Sequence, residues 1–203
     1  SKHGRGRVML ALVNRASLAL VSFVASVAAC SAVAPAARAS ADAPTAVATY
    51  APALPRGVAE RSGRCWTDSS VAARPDAFRC AMGDVIVDPC FSVSGHRGFV
   101  VCGANPATGA VGFPLRLDEP LPATTTPRPS RPWLLLLADG QACARFAGAR
   151  PRVGGKFAEW YCASPATPSR TTLVTDVDRG AAWIATVHDT RGAHRVVVRR
   201  AWE

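Results

Sequence analysis

Cysteines carry the clearest chemistry in this sequence, standing at positions 30, 65, 80, 90, 102, 143 and 162. Cys30 lies in a different kind of segment from the others. The remaining six are an even number, suited to three disulfides in an oxidising compartment. Zinc is the competing use of cysteine sulfur, but structural zinc sites draw on close C-x2-4-C pairs, and the shortest gap here, Cys80 to Cys90, holds nine residues. Disulfides are therefore expected, and no metal or cofactor. Six cysteines allow 15 connectivities. Cys65 and Cys80 bracket a capping segment and helix start, Cys90 and Cys102 a compact loop and one short strand, and Cys143 and Cys162 lie in neighbouring strands of one expected meander, so these nearest-neighbour pairs are expected. The last pair is the most secure, and the first two are liable to exchange partners.

Other reactive side chains are sparse. Beyond residue 39 there are three histidines, His96, His188 and His194. The last two flank a hairpin loop, but no third metal ligand is suggested by spacing. Ser92-Val93-Ser94-Gly95-His96 lacks the G-x-S-x-G elbow of a serine hydrolase. The carboxylate pairs Asp84/Asp88, Asp118/Glu119 and Asp176/Asp178 are candidates for acid/base cleavage of glycans, which needs two carboxyls roughly 5–10 Å apart, although turn formation explains the first pair more simply. Trp66, beside Cys65, is expected to pack on a disulfide. No catalytic residue is assigned.

The elements that must position these residues begin with an export signal. Lys2, Arg5, Arg7 and Arg15 precede an uncharged apolar run from Ala16 to Ala29, which suits a signal peptide (1–30) and is short for a membrane-spanning helix of about 20 residues. Val27-Ala28-Ala29-Cys30 resembles a bacterial lipobox, making Cys30 the candidate lipidation site. Ala37-Arg38-Ala39 before Ser40 is the alternative cleavage site, and an uncleaved anchor is a third reading. Residues 31–62, rich in Ala and Pro, read as a tether, whose stretch from 31 to 55 would reach about 80 Å if fully extended.

From residue 63 to 203 the pattern is that of a mainly β, disulfide-stapled antiparallel sheet, a meander or small barrel, with one short helix. That helix is expected from Pro75 to Met82, with Pro75 at its start, Gly83 after its end and Phe78 and Met82 on one face. Strands are expected at 84–87, 98–101, 112–117, 133–138, 141–146, 156–162, 182–188 and 193–202. Asp139-Gly140 is suited to a tight type I′ turn. The Pro/Thr-rich stretch 119–132 marks a possible sub-boundary.

Charge is +10 overall, yet residues 1–39 hold five Lys/Arg and no acid, so the remainder is nearer +5. Nearly all of that excess is arginine, scattered through the sequence rather than gathered in a stripe interleaved with aromatics. A nucleic-acid partner is not expected; scattered arginines read first as solvated faces, with contact to an anionic envelope polymer or lipid surface as the alternative. The runs Gly63-Arg64-Cys65-Trp66-Thr67, Arg74-Pro75-Asp76-Ala77-Phe78-Arg79-Cys80, Asp88-Pro89-Cys90-Phe91, Leu137-Ala138-Asp139-Gly140 and Tyr161-Cys162 resemble a group of uncharacterised exported proteins and lipoproteins of actinobacteria. That resemblance implies localisation and no particular chemistry. The expected function is an exported, membrane-attached binding module at the outer face of the cell membrane or beyond it. The alternative is a small secreted hydrolase of envelope polymers.

Overall fold

The computed structural model describes residues 43–124, 129–163 and 172–203, which fall within one compact unit, Ala39–Glu203. Every regular element in it is a strand. After β1 (Ala46–Ala48) come β2 (Arg61–Asp68), β3 (Ala77–Met82), β4 (Val85–Ser92), β5 (Phe99–Cys102) and β6 (Phe113–Leu117). Each of β2 to β6 runs antiparallel to the next, and β6 returns beside β2 in parallel to close a five-stranded barrel. The parallel closure follows from the odd number of strands.

The second half holds β7 (Leu134–Leu137), β8 (Ala142–Arg145), β9 (Arg152–Val153), β10 (Lys156–Phe157), β11 (Trp160–Ala163), β12 (Thr172–Arg179), β13 (Trp183–Asp189) and β14 (Gly192–Trp202). Antiparallel pairing runs β7-β8-β11-β12-β13-β14, and the far end of β14 pairs back onto β7, closing six strands on themselves. β9 and β10 form a separate hairpin between β8 and β11. Alternation drives this closure: Trp183, Ala185 and Val187 of β13 are buried while Ile184, Thr186 and His188 between them are partly exposed, as a period-two strand with one buried face requires. On β14, Val198 faces the core and Arg199 and Arg200 are both exposed, because the ladder to β7 slips at a bulge between Val198 and Arg200.

Each barrel has its own core, and a third cluster joins them. Phe78, Val100, Leu115 and four cysteines fill the first; Leu135, Leu137, Trp160, Val174, Trp183 and Val187 fill much of the second. Between them lie Val71, Ala77, Phe91, Trp133, Leu134 and Trp202. Tyr50 packs edge-on against Phe91 at 5.0 Å and Trp133 at 5.9 Å, geometry that aromatic rings favour.

The short helix is not present: residues 77–82 are strand β3. Phe78, Cys80 and Met82 share one face at period two, the first two buried and Met82 packed beside them, and Arg79 turns the other way with its guanidinium near the Trp66 ring. An i, i+4 apolar pair such as Phe78 and Met82 fits a helix or a strand equally well; Cys80 decides, since only a strand sets it opposite Cys65. Gly83 has φ +57° and turns β3 into β4, and a helix end would have asked the same backbone of it.

Part of the run expected as the end of a tether packs against the domain: Thr45, Ala48 and Tyr50 are partly buried, while residues 56–60 are exposed. β1 pairs in parallel with β14, Ala46 opposite Arg200. The Thr45 hydroxyl donates to the Val198 carbonyl and accepts from the Trp183 amide. Tyr50, an aromatic in an otherwise Ala/Pro-rich run, supplies the buried surface that composition alone had hidden. The signal segment and Cys30 lie outside the described residues.

Candidate functional site

The six cysteines beyond Cys30 form three disulfides: Cys65–Cys80, Cys90–Cys102 and Cys143–Cys162. In each, the two residues are direct register partners on adjacent antiparallel strands, β2/β3, β4/β5 and β8/β11. Their Cα atoms lie 3.9, 4.2 and 3.8 Å apart, so the strands are drawn together at those points. Four adjacent strands of the first barrel thus each send one cysteine inward, and the sulfurs of Cys80, Cys90 and Cys102 lie within 4.8 Å of one another. Gly63 supports this layer, because a Cβ there would run into the Ala81 carbonyl of β3.

Trp66 does not pack on the Cys65 disulfide. It is 43% exposed, since Cys65 takes the inward position of β2 and its neighbour must face out. The tryptophans inside a disulfide core are Trp160, two residues from Cys162, and Trp183, both buried with Cys143 and Cys162 in the second barrel.

The remaining candidates separate from one another. Val187 pairs with His194 and His188 with Ala193; paired residues share a face, so the two histidines point to opposite sides of the hairpin. His188 meets the Thr175 hydroxyl at 3.3 Å, and His194 meets Arg191 and the Gly192 carbonyl. Ser94 and His96 are exposed in the loop between β4 and β5.

The carboxylates hold structure or pair with cations. Asp88 accepts from the Ser69 and Ser70 hydroxyls and the Ser70 amide, and Ser69 accepts in turn from the Val71 and Ala72 amides. Asp84 sits in the exposed turn between β3 and β4. Glu119 lies 3.8 Å from Arg64. Asp176 pairs with Lys156 at 2.9 Å and Asp178 with Arg195 at 3.4 Å. The Lys156 hydrogen bond holds the Asp176 carboxyl below the usual carboxylate range, and the Arg191 hydrogen bond does the same for Asp189. A general acid needs its pKa pushed the other way.

Among the described residues stand two further concave regions and a hairpin. A cleft of about 350 Å³ lies between the barrels, with exposed Ile86 and Tyr161 at its edges and Trp133, Asp88, Asn105 and Arg145 also lining it. A second hollow of about 450 Å³ lies on the second barrel, lined by Arg131, Arg145, Glu159, Trp160, Asp176 and Arg179 among others. Beside it stands the β9–β10 hairpin. Its Phe157 is 49% exposed, with the Arg150 and Arg152 guanidiniums 5.5 and 5.0 Å from the ring centre. Sequence reading missed this grouping, because its members come from residues 131 to 179, spread over several strands. The signal available was local: Arg150-Pro151-Arg152-Val153-Gly154-Gly155-Lys156-Phe157 is a short basic-aromatic run around a glycine pair. Comparison with known proteins returns no matching family model, no similar curated protein and no similar solved structure, so the functional reading rests on the chain's own residues.

Proposed function

We propose that this chain is an exported binding module that holds an anionic component of the cell envelope, attached to the outer face of the membrane through a lipid on Cys30. The observation that carries this reading is the pairing of half-exposed aromatic rings with arginine on the surface, at Phe157 with Arg150 and Arg152 and at Trp66 with Arg79. Such surfaces offer apolar contact and positive charge together and are enriched at sites of recognition. Export is supported by the three disulfides, which suit an oxidising compartment. With β1 packed on β14, only 12 residues separate Cys30 from the first described residue. A lipid-anchored domain therefore works close to the membrane.

The test is capture of envelope components on the purified chain, with a labelled fatty acid supplied during growth. Selective retention of anionic envelope material, with label lost in Cys30→Ala, is the expected result. Absence of any retained component overturns the binding reading, and an unlabelled protein beginning at Ser40 overturns the lipid anchor while leaving export standing.

A further inference from the structure

Resting on that binding reading, we propose that the ligand is a linear polyanion, a flexible chain bearing phosphate or carboxylate groups, and that it lies in the hollow of the second barrel and along the β9–β10 hairpin. The two are continuous. Glu159 at the wall of the hollow pairs with Arg145 at 2.6 Å and with Arg150 at the base of the hairpin, and Asp176 pairs with Lys156. Six basic side chains gather here: Arg131, Arg145, Arg150, Arg152, Lys156 and Arg179. Against them stand Glu159, Asp176 and Glu203, the last reaching Arg179 at 4.0 Å, which leaves an excess of three positive charges.

Several of these groups are free for a ligand. Arg131 is exposed and makes no ion pair with the described residues. The Arg152 guanidinium is bonded to the Gly155 carbonyl alone and keeps its charge uncompensated. Guanidinium forks match phosphate and carboxylate oxygens in pairs. Depth distinguishes a polymer from a membrane surface. The Arg145 side chain is 15% exposed, recessed where a narrow chain reaches and a flat bilayer does not.

Titration of the full chain with long-chain inorganic polyphosphate and with polygalacturonate tests this directly, with vesicles of acidic phospholipid as the comparison. Saturable binding of at least one polymer is expected at low salt. For three neutralised phosphates, the logarithm of affinity should fall against that of salt concentration with a slope of about −2. Arg131→Glu with Arg152→Glu should weaken binding by about tenfold or more, as should the milder Arg131→Gln with Arg152→Gln, while Val111→Ala, at an exposed position before β6, leaves it unchanged. Failure to bind either polymer, affinity unaltered in both arginine variants, or binding to vesicles alone overturns the proposal. Retained capture of envelope material alongside such a failure would leave the binding module intact and remove only this site; loss of both would remove both.

Discussion

Arg74 sets one guanidinium among four oxygen acceptors drawn from three separate parts of the chain. It forks onto both carboxylate oxygens of Asp76 and donates to the carbonyls of Tyr50 and Glu203. It also lies over the Phe91 ring at 5.1 Å. The loop before β3, the segment after β1 and the C-terminal residue are thereby tied together beside the aromatic cluster between the barrels. Its side chain is 14% exposed, so removing it strands partly buried acceptors. Arg74→Ala should cost roughly 2–4 kcal/mol in a urea melt, and Arg74→Lys should recover little of that, because an ammonium cannot fork.

Tyr50 in the same cluster predicts a pH dependence. Burial raises its phenol pKa above 10, with Arg74 partly opposing the shift. The folded state therefore holds this proton more tightly than the unfolded chain, so the stabilisation is complete below pH ~10 and is lost as pH rises through the folded value. Denaturant midpoints should fall from about pH 10 upward. In Tyr50→Phe that alkaline fall should shrink, and an unchanged fall would assign it to other groups.

At the scale of elements, each disulfide is a rung of its ladder. Cys143–Cys162 spans 19 residues of sequence, for which restriction of the unfolded chain contributes about 3 kcal/mol. Replacing both residues by serine should lower stability by about that amount, with Trp160 in the same core reporting the change by fluorescence. A loss below about 1 kcal/mol would show that the β8–β11 ladder does not depend on its bridge.

The legible strands were those with a clean period. β13 and β14 alternate over long runs, and β11 sends Trp160 and Cys162 in and Tyr161 out. β1, β2, β3, β9 and β12 were not legible as strands, and two of them show why. β3 is too short for a two-spaced apolar pattern to be told from a four-spaced one. β12 carries Asp176 and Asp178 and a slip after Val174, so its alternation is broken where it would have been read. The Asp139-Gly140 turn was legible in place but not in type. The Gly140 amide donates to the Leu137 carbonyl, and the Leu137 amide to the Gln141 carbonyl, giving a three-residue loop in place of a two-residue turn.

Over the whole molecule, composition showed how much basic charge the chain carries and could not show where it gathers. Arginines that look scattered along the sequence converge because β8, β11 and β12 are neighbours in one sheet and the β9–β10 hairpin rises between two of them. Cysteine spacing was more telling, since a bridge between adjacent strands needs only local pairing. The packing of β1 and Tyr50 is not legible in an Ala/Pro-rich run because a three-residue strand and one tyrosine have no periodicity to detect; their stabilisation comes from β14 and from Phe91, more than 40 residues further along the chain.

That the chain holds an anionic envelope component without cleaving it is tested most directly by incubating purified envelope polymer with the full chain, then measuring in one sample both the fraction bound and the length distribution of the polymer recovered. Polymer that is bound, released by salt and unchanged in length is the expected result. Polymer that is shortened with time, or that stays unbound at low salt, would contradict it.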